Sequence, residues 1–94
     1  MDMTEKNEWL AIIKVGDISS WARGADLDEQ VARVCRLFKS DWKRLYRLKK
    51  GTPVKVIVVD AVDHEVISWG DDGILDCKTK EKLKPHCVIE ATLP

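Results

Sequence analysis

The 94-residue chain lacks the long apolar run that a membrane helix needs, since no stretch approaches the roughly 18 consecutive apolar residues required to span a bilayer. Its first residues, MDMTEKNEW, are acidic and polar where a secretory leader would be basic and then apolar, so a cytoplasmic location and no membrane partner are expected. Cysteine is scarce. Cys35, Cys77 and Cys87 are odd in number and widely spaced, which argues against a disulfide framework and suits a reducing compartment, with free thiols buried in the core. One Phe and one Tyr leave no room for the aromatic run of an RNA-recognition sheet. The five glycines are scattered and compose no dinucleotide fingerprint, phosphate loop or nucleophile elbow.

The metal-competent groups are equally thin. Cys77 and Cys87 form no CxxC pair, and His86 and Cys87 are chain neighbours that point to opposite faces if both lie in a strand, so no zinc site with His64 is expected. A Cys–His nucleophile would need an orienting third group, and none stands at a recognisable spacing. The Asp71-Asp72 pair sits in GDDG, the composition of a hairpin turn. No catalytic residue, metal or cofactor is assigned, and an enzyme is not expected.

What remains is an ordinary folded domain: 45% hydrophobic and 34% charged residues are too apolar for disorder. Residues 1–94 make one domain, because a chain this short supports one core. Folding should bury only about 60 to 65 per cent of the unfolded surface, a marginal arrangement that favours a partner or a dimer.

Glu8 to Val15, EWLAIIKV, reads as a strand apolar on both faces, and Gly16 to Ala25 as a loop or single helical turn. Asp26, with Glu29 three residues on, predicts a capped helix start. Leu27, Val31, Val34, Phe38, Trp42 and Leu45 then recur at helical spacing, and Gly51 and Pro53 predict the stop, for a helix of about 23 residues. Pro53 to Val62, Glu65 to Trp69 and Ile74 to Cys77 are expected to form an antiparallel meander. Lys78 to Lys84 reads as a charged loop or single helical turn, and Cys87 to Leu93 as the last strand. The order β-α-β-β-β-β predicts an α+β fold, one long amphipathic helix on an antiparallel sheet of four to five strands. A small SH3-like or OB-like barrel with an appended helix is the alternative.

The formal net charge of +0 comes from cancellation. Residues 33–51 set eight Lys or Arg against one acid, while residues 57–77 hold six acids and no base. On a helical wheel at about 100° per residue, Arg33, Arg36, Lys39, Lys43, Arg44, Arg47 and Lys50 occupy the arc opposite the apolar stripe. A solvated helix face usually mixes signs, because opposite pairs at i,i+4 stabilise by about 0.2 to 0.5 kcal/mol. Three explanations compete: a solvated stripe helped by the helix dipole, an acidic protein partner, and nucleic acid. The acidic stretch Asp60, Asp63, Glu65, Asp71, Asp72 and Asp76 is either turn chemistry or a negative patch for a basic partner. A homodimer that pairs the helix with this stretch is a further expectation.

Four tryptophans are many for this length. Trp9 and Trp42 fit the core, whereas Trp21 in a loop and Trp69 beside a turn are candidate exposed anchors. The resulting expectation is a small non-enzymatic protein-interaction module. It would act through the basic helix face, chiefly Arg36, Lys43, Arg44 and Arg47, and the acidic hairpin region. An inhibitor or adaptor of a nucleic-acid-handling complex, of the phage or mobile-element type, would fit that description. The alternative is direct RNA or DNA binding by the same helix.

Overall fold

The computed structural model describes residues 7–16, 18–45, 51–70 and 73–92, with the backbone alone for residues 39–45. The chain runs β1 (Trp9–Val15), β2 (Ile18–Gly24), α1 (Leu27–Leu45), β3 (Pro53–Asp60), β4 (Ile67–Gly70), β5 (Gly73–Asp76), β6 (Lys82–Leu83) and β7 (Cys87–Thr92). Two antiparallel sheets result, one of four strands in the order β2-β1-β3-β7 and one of three in the order β4-β5-β6. The fold is α+β, and neither sheet closes into a barrel.

The apolar pattern of β1 explains the layering. Ala11, Ile13 and Val15 point to one face and pack with Ala22, Val56 and the helix residues Val34 and Phe38. Leu10 and Ile12 point to the other face and pack with Val59, Ala61 and Ile74, with Ile67, Trp69 and Leu83 of the small sheet against them. A strand buried on both sides must be apolar wherever it is covered, and Ala11, Ile12 and Ile13 are all buried. The four-stranded sheet is therefore the middle layer between α1 and the small sheet. Burying each large aliphatic side chain here stabilises by about 1.5 to 3 kcal/mol relative to exposure.

Three expectations are corrected. Residues expected as a loop form β2, which pairs along its whole length with β1 from Val15↔Ile18 to Trp9↔Gly24. The meander forms only in part: β4 pairs with β5 as expected, but β3 pairs with β1 and β7 and not with β4, which begins the second sheet. The crossing is made at residues 61–66. There Ala61 N–H donates to Glu8 O at 2.8 Å, Asp60 Oδ1 accepts from Val62 N–H at 3.0 Å, and Asp63 adopts a left-handed φ of 68°. Finally, the charged loop contributes β6, which pairs Lys82 with Leu75 and Leu83 with Ile74.

Helix α1 starts as its sequence predicts: Glu29 N–H donates to Asp26 Oδ1 at 3.0 Å. Glu29 does not complete a reciprocal box; its carboxylate accepts from Arg33 at 3.1 Å, an i,i+4 pair within the basic face. Gly51 has a left-handed φ of +84°, which glycine adopts without a Cβ penalty. The expected last turn, residues 46–50, lies outside the described residues. The three cysteines are free, and all are half-buried instead of fully buried.

Candidate functional site

A cleft of about 760 Å³, open to solvent, lies between β2, the 61–66 crossing and β4. Its wall is apolar and aromatic: Leu10, Trp21, Ala61, Val66, Ile67 and Trp69 line it, with Glu8, Asp63, Glu65, His64 and Arg23 as the polar groups. Ser19, Trp21 and Arg23 share one face of β2 because they are two residues apart. Trp69 on β4 reaches across and donates its indole N–H to Ser19 Oγ at 3.3 Å, next to Trp21 on that face. Trp21 is 55% exposed and Val66 56%, the two most exposed large apolar side chains among the described residues.

Arg23 holds the wall in place. Its Nε donates to the Glu8 carboxylate, one terminal nitrogen to Glu65 O at 3.0 Å, and the other to Ala61 O at 3.1 Å and to His64 O. Four acceptors around one planar fork are what guanidinium geometry suits and a lysine could not match. The crossing is thereby tied to β2, although Arg23 and Glu65 are 42 residues apart.

A second staple ties the same segment to β5. His64 Nδ1 lies 2.6 Å from Asp76 Oδ2, and Asp76 is buried. The His64 hydrogen bond, followed by the Thr79 and Lys78 amides on the other oxygen, holds the Asp76 carboxyl at about 2, below its ordinary 3.8. An ionised carboxylate only accepts, so the Nδ1 of His64 carries the proton. Asp76 Oδ1 shapes the turn after β5 while Oδ2 holds His64, so both oxygens are occupied and the pair is a structural tie.

Several expected residues converge here: Trp21, Trp69, Asp63 and Glu65 meet on the cleft. Trp69, a candidate exposed anchor, is half-buried and packs against the lower core. Asp60 and Asp76 make local turn bonds of the kind one reading of the acidic stretch expected, Asp60 Oδ1 accepting from Val62 N–H and the buried Asp76 from the Lys78 and Thr79 amides. Asp71 and Asp72 lie outside the described residues. Arg33 and Arg36 are exposed on α1, across the four-stranded sheet from the cleft. Of Lys39, Lys43 and Arg44 only the backbone is described, within α1, and Arg47 and Lys50 lie outside the described residues. Trp9 stacks at 4.7 Å on His86, half-buried at the sheet margin, and the Trp42 side chain is not described.

Sequence reasoning missed Glu8, Arg23 and His64. Their roles depend on contacts between segments far apart in the chain, for which no local spacing gives a signal. Among the described residues no group of three or more His, Cys, Asp or Glu is placed to hold a metal ion, and no helix is long and apolar enough to cross a membrane. Comparison with protein-family models, curated proteins and solved structures gives no match for this chain.

Proposed function

We propose that this protein is a small non-enzymatic protein-interaction module whose docking site is the acidic, tryptophan-walled cleft. The observation that carries the proposal is the meeting of Trp21 and Trp69, 48 positions apart in sequence, on one open surface rimmed by Glu8, Asp63 and Glu65. Tryptophan concentrates binding energy at protein interfaces, because it brings a large rigid apolar surface and one donor. Three carboxylates against the single guanidinium of Arg23 favour a partner with basic residues. Helix α1 lies on the far side of the sheet and carries Arg33, Arg36, Lys39, Lys43 and Arg44 in its sequence, and a second surface of opposite sign there is what an adaptor or inhibitor between two partners would need.

Selection from two display libraries, random linear peptides and randomised helical scaffolds, tests this. Binders should converge on the cleft, losing affinity in Trp21→Ala and Glu65→Lys but not in Arg36→Glu. Convergence on Arg36 instead would refute the cleft as the docking site.

Arg36 favours a second reading, direct RNA or DNA binding, because it is exposed and has no carboxylate partner among the described residues. Fluorescence anisotropy with labelled duplex DNA, single-stranded DNA and structured RNA at about 50 and 200 mM salt decides it, since phosphate contacts weaken steeply across that window.

A further inference from the structure

We infer that the cleft takes its partner as an extended strand added to the free edge of β2, a segment that alternates apolar residues with Lys or Arg. The inference rests on the interaction-module reading and specifies the form and chemistry of what docks there.

The register of the sheet carries the argument. β2 is the outermost strand of the four-stranded sheet. In antiparallel pairs, residues that exchange backbone hydrogen bonds alternate with residues that do not. Ala61 N–H donates to Glu8 O, so Glu8, and with it Leu10, Ile12 and Lys14, turn their backbone groups toward β3. Leu10, Ile12 and Lys14 stand opposite Arg23, Trp21 and Ser19. Those three residues of β2 therefore make no backbone hydrogen bonds to β1, and their N–H and C=O groups point outward along an edge with which no other strand pairs among the described residues. Trp21 and Arg23 are also the β2 side chains that line the cleft. One set of alternate residues thus offers both the edge hydrogen bonds and the cleft wall.

An incoming residue paired with Trp21 would set its side chain on the cleft side, and so would residues two places before and after it. This is the division of labour in strand-addition complexes, where main-chain bonds give affinity and alternate side chains give specificity. Trp21 and Val66 present apolar surface to such side chains, and a tryptophan face also accepts an ammonium or guanidinium group. Arg23 is already engaged by Glu8 and three carbonyls, which leaves Asp63 and Glu65 on the rim to attract a cation. The sequence of β2, ISSWARG, has no lysine and no proline to guard its edge, and its one charge, Arg23, is spent on Glu8 and the crossing.

The test uses the full chain and linear peptides selected from the random library. Selected peptides should alternate apolar residues with Lys or Arg and bind at least about tenfold more weakly to Trp21→Ala. Trp21 is exposed, so that variant should fold. Methylating the peptide's backbone amides one at a time should then abolish binding at every second position and leave the intervening positions unaffected. A methylation scan without that two-residue period would overturn strand addition while leaving the cleft as a docking site. Cleft binders drawn only from the helical scaffolds would do the same. Binders indifferent to Trp21→Ala and Glu65→Lys would overturn both proposals.

Discussion

The two faces of the four-stranded sheet are closed in different ways. On one, α1 lays Val34 and Phe38 onto Ala11, Ile13, Val15 and Ala22, and the contact is apolar. On the other, a sheet of ten strand residues covers Leu10 and Ile12 over only part of the area, and the rest of the closure is polar: Arg23 on three carbonyls and Glu8, and His64 on Asp76. Apolar packing fills space without leaving a surface to bind. Closure by polar ties can hold two layers together at an edge while leaving a gap between them, and the cleft is that gap.

The largest effect should come from the helix face. Phe38→Ala should lower unfolding stability by about 3 to 5 kcal/mol in denaturant titration, because a fully buried aromatic leaves a cavity that the sheet cannot collapse into. Arg23→Ala should lose less, about 2 to 3 kcal/mol, since it strands the Glu65 and His64 carbonyls and the Glu8 carboxylate, which are only partly shielded from water, while Ala61 O keeps the His64 N–H. Hydrogen exchange separates the two cases: amides of residues 61–67 should lose protection in Arg23→Ala while those of α1 keep theirs. If Arg23→Ala loosens α1 as well, the two faces are not independent.

A smaller effect, of opposite sign, is expected at Gln30. This helix residue is buried beneath Gly24, where an added Cβ would come within 2.4 Å of its amide nitrogen, and its Oε1 has no hydrogen-bond partner among the described residues. Gln30→Met keeps the shape and removes the orphaned acceptor, so a gain of about 1 kcal/mol should appear in the same titration. A loss would place a polar partner on Oε1.

The finest probe is acid. The folded-state pKa of Asp76, about 2, lies below the ordinary 3.8, so its contribution is fully present above about pH 4 and is lost as pH falls from there through 2. Denaturation midpoints measured from neutral pH down through that window should fall less steeply for Asp76→Asn than for the unaltered chain. Equal slopes would mean that the His64 tie adds nothing to the cleft face.

The same contrast explains what could be read in advance. The helix was legible because Val31, Val34 and Phe38 repeat at its own period and Asp26 caps it with a bond inside four residues. β1 was legible because it is apolar at every core position. β2 was not: ISSWARG has two serines and a glycine where strands prefer branched and aromatic residues, and it is a strand because β1 lies beside it to pair with. The expected pairing of β3 with β4 failed for a related reason. Asp60, Asp63 and Glu65 have the composition of a tight turn, but the chain uses them to cross between sheets.

The candidate site divides likewise. Its tryptophans and acids stood out by residue type, whereas their shared cleft, and Arg23 and His64 behind it, did not. Sequence alone determined the α+β class, the helix and its cap, and the segregation of charge, because each is set by spacing within a few residues. Tertiary structure alone decided which strands share a sheet, which face stayed open, and that Trp21 and Trp69 stand on one wall. Those outcomes depend on hydrogen bonds and packing between segments 40 or more residues apart, whose partners are defined only once the chain has folded.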